Sequence, residues 1–126
     1  MKSLNGTMWK LIEARAFDGS GDKLLPLGPQ PIGFVTFEGE RMLGAVTDGR
    51  VSLPPTSPSH FFIAYTGTYT FDGTELVTRA DTASNPDLLV DQIRRIRFES
   101  ATRMVMEAIS GVAGQGGTEV VWERVA

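Results

Sequence analysis

Apolar and polar residues alternate with period two along most of this chain, and glycine or proline interrupts the alternation at short intervals. Successive side chains of a strand point to opposite faces, so the pattern predicts strands rather than helices. The clearest case is 61–71. Phe61, Ile63, Tyr65, Gly67, Tyr69 and Phe71 share one face, and Phe62, Ala64, Thr66, Thr68 and Thr70 share the other. Asp72-Gly73 then turns the chain into a strand over 75–83, a strong hairpin signal. Gly39-Glu40 does the same between strands at 32–38 and 41–47. Further strands are predicted at 7–17, 92–99, 103–109 and 118–125, eight in all.

The connections read differently. Residues 18–30 are rich in glycine and proline and are not expected to form a regular strand. Asp48-Gly49 and three prolines make 48–59 a loop, and Asn85-Pro86 breaks the sixth strand. Leu88-Leu89-Val90 is expected to form a short helical turn, and 111–117 a glycine-rich hairpin connection. Short strands joined by short links suggest a sandwich or an up-and-down barrel, and closure would remove exposed edges. With 126 residues the whole chain, 1–126, reads as one all-β domain.

Composition narrows the chemistry. No cysteine is present, which excludes disulfides, thiolate metal sites and thiol nucleophiles. Net charge is -3, so no global field attracts nucleic acid. The one basic cluster, Arg94, Arg95, Arg97 and Arg103, reads as a solvated strand face before it reads as a phosphate-binding patch. No stretch is apolar enough to span a membrane as a helix. Met1 to Gly6 has no apolar core of a signal peptide, and a cytoplasmic location is the expectation. His60 is the single histidine, placed at a loop edge after three prolines. It leaves no multi-histidine metal site and no nucleophilic triad, and neither metal nor cofactor is expected. Gly114-Gln115-Gly116-Gly117 lacks the lysine and helix of a phosphate loop.

Four segments, in order along the chain, carry a resemblance. They are Leu4-Asn5-Gly6-Thr7-Met8-Trp9-Lys10-Leu11, Pro26-Leu27-Gly28-Pro29-Gln30-Pro31-Ile32-Gly33, Phe62-Ile63-Ala64-Tyr65-Thr66-Gly67-Thr68-Tyr69 and Val121-Trp122-Glu123-Arg124-Val125. Together they resemble the bacterial lipocalin-like domain family, within the calycin group of lipocalins and fatty-acid-binding proteins. The resemblance implies an eight-stranded antiparallel up-and-down barrel whose interior takes side chains or one small ligand. It also implies a barrel floor closed by Trp9, with Arg124 packed across its ring as a cation–π pair. Arg79 and Ala80 stand where that family often carries histidines, which argues against histidine chemistry here.

Candidate site residues follow from the faces. On 92–99, Gln92, Arg94, Ile96 and Phe98 share the face with the apolar pair, which should point inward. A buried arginine needs a partner, and Glu13, Glu107 or a ligand carboxylate are the candidates. A slip of one residue would exchange Arg94 for Arg95. Tyr65 and Tyr69 join Phe61 and Ile63 as an aromatic wall with two hydroxyls, and Met104 and Met106 supply pliable packing. Leu24, Leu25 and Leu27 are expected to pack over the mouth. The function expected is binding of a small hydrophobic or amphipathic molecule, with or without a carboxylate. The alternatives are an isomerase or cyclase using Tyr65, Tyr69 and Arg94, and an interaction domain whose barrel is filled by its own aromatics. A homodimer is compatible with each.

Overall fold

Tight hairpins set the architecture. The computed structural model describes residues 3–17, 23–49, 62–110 and 118–126. The strands are β1 (Thr7–Phe17), β2 (Lys23–Leu24), β3 (Pro31–Glu38), β4 (Arg41–Asp48), β5 (Phe62–Phe71), β6 (Glu75–Ala83), β7 (Asp91–Ser100), β8 (Arg103–Ser110) and β9 (Thr118–Arg124). Turns at 39–40, 72–74 and 101–102 join β3–β4, β5–β6 and β7–β8 at one end. Gly39 and Gly73 take φ of +61° and +102°, a backbone region that favours glycine. Asp72 Oδ1 accepts from the N–H groups of Thr74 (2.9 Å) and Glu75 (2.7 Å) and so fixes the second turn.

Those two bonds hold the Asp72 carboxyl below its ordinary value. A depressed folded pKa means stability that is present above the unfolded value and lost as pH falls through the folded one. Asp72→Asn removes the titration while keeping an acceptor. Acid unfolding followed by circular dichroism is therefore expected to fall less steeply below about pH 4 in the variant. Superimposable acid limbs would contradict this.

The sheet order is β2-β1-β3-β4-β5-β6-β7-β8-β9, and β1 also pairs with β9. Eight long antiparallel strands thus close into a single up-and-down barrel, the one that the resemblance implied of the two architectures left open by the alternation. β1 departs from the simple picture. It pairs with β3 through Thr7–Lys10 and then with β2 through Ala16 and Phe17, while β9 follows its other edge. The segment expected to lack strand structure therefore contributes the two-residue β2, because an extended β1 offers its free edge to the returning chain. The short helix also lies earlier than expected, at Pro86–Leu88. Asn85 caps it, its Oδ1 accepting from Asp87 N–H at 2.9 Å, and Pro86 supplies the φ that opens a helix.

The turn end is packed shut. Leu4, Trp9, Phe37, Leu76 and Met104 are almost completely buried there. Trp9 lies 6.3 Å from Phe98, and Phe98 meets Phe71 edge-on at the same distance. Phe37 meets Tyr69 edge-on at 5.1 Å. Trp9 Nε1–H donates to Thr7 Oγ1 (2.8 Å), whose hydroxyl donates to Leu4 O (2.6 Å), so the polar atoms of the plug are satisfied. On the outer wall Ile32, Phe34, Leu43 and Phe62 are about half exposed. Among the described residues no helix is long and apolar enough to cross a membrane.

Three of the four clustered arginines face outward beside a glutamate. Arg95 lies 3.6 Å from Glu107, Arg97 3.6 Å from Glu119, and Arg103 3.5 Å from Glu123. Arg15 shares Glu119 at 3.0 Å. These pairs lie over Val105 and Val121, which are buried on the outer face, so the long side chains cover apolar surface as well as balancing charge.

Candidate functional site

The other end of the barrel is lined rather than filled. A cavity of about 100 Å³ lies among Val46, Ile63, Tyr65, Arg94, Met106 and Trp122, with Gly44, Ala108 and Thr118 also on its wall. Strand periodicity explains the set. Tyr65 and Ile63 sit two apart on β5, and Met106 and Ala108 two apart on β8. Thr118, Val120 and Trp122 occupy alternate positions of β9.

Arg94 is buried, at 7 % exposure, on the inner face of β7 with Gln92 and Ile96. Arg95 is outside, so the register is the one the apolar pair predicted. Two of the three candidate partners of Arg94 need correction or replacement by what is seen. Glu107 sits on the outer face of β8 against Arg95, because Met106 and Ala108 take the inward positions on either side. Glu13 lies opposite Val121 on the outer row of β9, beyond the irregularity between Leu11 and Glu13. The guanidinium instead donates from Nη1 to Ile93 O (3.0 Å) and from Nη2 to Gln92 Oε1 (3.0 Å). Gln92 is itself fully buried, and its Nε2 donates to Leu88 O at 3.0 Å. The short helix thus anchors Gln92, and Gln92 aims Arg94.

Tyr65 adjoins the same guanidinium. Burial pushes its hydroxyl above the ordinary tyrosine value, and the charge and hydrogen bond of Arg94 offset part of the rise. The phenol stays protonated at neutral pH and acts as a hydrogen-bonding group. Asp48 is buried on β4 near the same end. Among the described residues no cluster of three histidine, aspartate or glutamate side chains is placed to hold a metal.

The cavity gathers Arg94, Tyr65, Ile63 and Met106 from the expected residues and leaves others elsewhere. Met104 is buried opposite Trp122 and Phe98, in the packed half. Tyr69 packs on Phe37 in that half too, where burial pushes its hydroxyl up. Trp9 and Arg124 are direct neighbours across β1 and β9. Trp9 is buried in the plug, whereas Arg124 is exposed with its Nε–H donating to Ala126 O at 3.0 Å. Leu27 joins the core and Leu25 is exposed at 40 %, while the Leu24 side chain lies outside the described residues. Phe61, His60 and 111–117 also lie outside them. Gln92 and Trp122 were not picked out as site residues. Their inward positions follow from alternation, but their roles need the third dimension.

The described molecule is a closed antiparallel barrel, packed at the hairpin end and hollow at the other, with an arginine and a tyrosine inside the hollow. No family model matches the chain, no curated protein matches it in sequence, and no solved structure matches it in fold.

Proposed function

We propose that the chain is a lipocalin-like binding barrel that takes one small hydrophobic or amphipathic molecule in the hollow end, with the polar group of that molecule beside Arg94 and Tyr65. The observation that carries this reading is an apolar cavity reached by a buried arginine already oriented by Gln92. A concave apolar pocket with a few convergent polar groups is the usual form of a ligand site. The volume points to a compact ligand rather than a long chain, since pockets for larger ligands run to about 300–1,000 Å³. Binding is favoured over acid catalysis because Tyr65 is held protonated well above neutral pH, whereas a catalytic acid works best near the operating pH. The packed hairpin end meets the description of a self-filled barrel, and the reading confines the ligand to the other half.

Benzoate serves as a probe of the polar anchor. Arg94→Met keeps much of the stem and removes the charge-assisted hydrogen bonds, each about 1.5–3 kcal/mol. Calorimetry is expected to show at least a tenfold loss of benzoate affinity in Arg94→Met, with the barrel's circular dichroism unchanged. Equal affinity in the two proteins would remove Arg94 from the site.

A further inference from the structure

Trp122 stands on the inner face of β9, opposite Leu11 of β1 and Met104 of β8. It is 4 % exposed and is one of the residues lining the cavity. Its Nε1 is a buried donor with no hydrogen-bond partner among the described residues. Leu11, Met104 and Val120 around it carry no oxygen or nitrogen in their side chains. The second tryptophan supplies the contrast, since Trp9 Nε1–H is satisfied by Thr7 Oγ1 at 2.8 Å. A buried donor left unmatched costs about 1–3 kcal/mol, and an acceptor brought to it recovers that amount. The indole of the packed half is satisfied, while that of the cavity-lining tryptophan is buried and unmatched, a donor that an acceptor entering beside it would satisfy.

Register sets the spacing. Arg94 pairs with Ala108 and Trp122 with Met104, four residues apart along β8. At about 3.3 Å per residue the two levels are roughly 13 Å apart before the side chains reach toward each other. Arg94 and Trp122 therefore hold opposite ends of the hollow. Resting on the reading that this hollow takes a small molecule, we propose that Trp122 Nε1–H is a second anchor, and that it selects compact molecules carrying a neutral oxygen acceptor, such as a ketone carbonyl, at the end that enters first. At about 100 Å³ the hollow is smaller than the roughly 150 Å³ apolar cavity that admits benzene, so only a small ring is suited to it.

The test uses two rings of nearly equal shape, cyclopentanone and cyclopentane, with the whole chain labelled for ¹H–¹⁵N and methionine-methyl spectra. Two indole signals are present, one from each tryptophan. Cyclopentanone is expected to move the Trp122 indole signal downfield in a saturable way, to leave the Trp9 indole in place, and to bind at least tenfold more tightly than cyclopentane. Met106 methyl shifts report entry independently of the indole. If both rings shift Met106 with similar affinity and the Trp122 indole stays still, the anchor is wrong while the binding barrel stands. If neither ring moves Met106 or either indole, the anchor and the binding reading both fall.

Discussion

Trp9→Ala is expected to destabilise the protein by about 4 kcal/mol, the range for removing a fully buried tryptophan. The side chain is 0 % exposed. Its loss opens a cavity walled by other plug residues, including Phe98. The truncation also leaves Thr7 Oγ1 without the indole N–H that it accepts at 2.8 Å. Domains of this size are stable by roughly 5–15 kcal/mol in total, so a large fraction disappears in one substitution. Phe34→Ala is the control. Its ring is 46 % exposed on the outer wall, and the change should cost about 1 kcal/mol or less. Urea unfolding measures both. A Trp9→Ala loss no larger than that of Phe34→Ala would show that the hairpin end is not the packed plug of the barrel.

Gly67→Ala should also be severe, for a different reason. A Cβ built at Gly67 would lie 2.0 Å from Arg79 O, 2.6 Å from Arg79 C and 2.9 Å from Ala80 Cα. All three are backbone atoms of the neighbouring strand, so no rotamer change relieves the clash. The ladder between β5 and β6 shifts at this point, with Thr66 opposite Thr82 and Gly67 opposite Ala80. Asp81 is the extra residue of this bulge, and its carboxylate pairs with Arg41 of β4. Gly67 lets the two strands approach where the wall bends. Adding one methyl must push them apart or break the ladder, at about 3 kcal/mol, which lowers the unfolding midpoint by roughly 10 °C. Gly44→Ala makes the comparison sharp. Its nearest neighbours would be side-chain atoms of Val35 and Met42 at 3.6 Å and beyond, an ordinary contact. Scanning calorimetry should find its midpoint within a few degrees of the parent. Equal shifts for the two variants would contradict the close approach at the bulge.

How much of this was legible depended on which physical signal each residue left in the chain. Strand faces were legible wherever period two was unbroken. Tyr65 and Ile63 point inward as their spacing required, and Arg94 shares the inner face with Ile96. Height along the barrel was not legible. Tyr65 and Tyr69 have the same parity, as do Met106 and Met104, yet one of each pair lines the cavity and the other is packed in or beside the plug. Parity fixes the face, while hairpin geometry and strand stagger fix the level. The pairing of Arg94 with Glu107 failed on information already present, because inward Met106 forces Glu107 outward. In the sequence Gly67 reads as one more position of an unbroken alternation, although an isolated glycine inside a strand is a usual mark of a bulge. The bare indole of Trp122 and the tether from Leu88 through Gln92 to Arg94 left no such mark. Each depends on which atoms meet across strands.

The central claim is that one half of the barrel is hollow and receives a small molecule while the other half is solid. Methionine methyl groups sit in both halves, with Met42 and Met106 on the cavity wall and Met104 in the packing beneath it. Titrating the labelled protein with benzoate tests the claim in one spectrum. The expected result is a saturable shift of the Met42 and Met106 methyl signals with Met104 nearly stationary. No saturable shift at Met42 or Met106, or movement of all three together, would contradict a ligand site confined to this cavity.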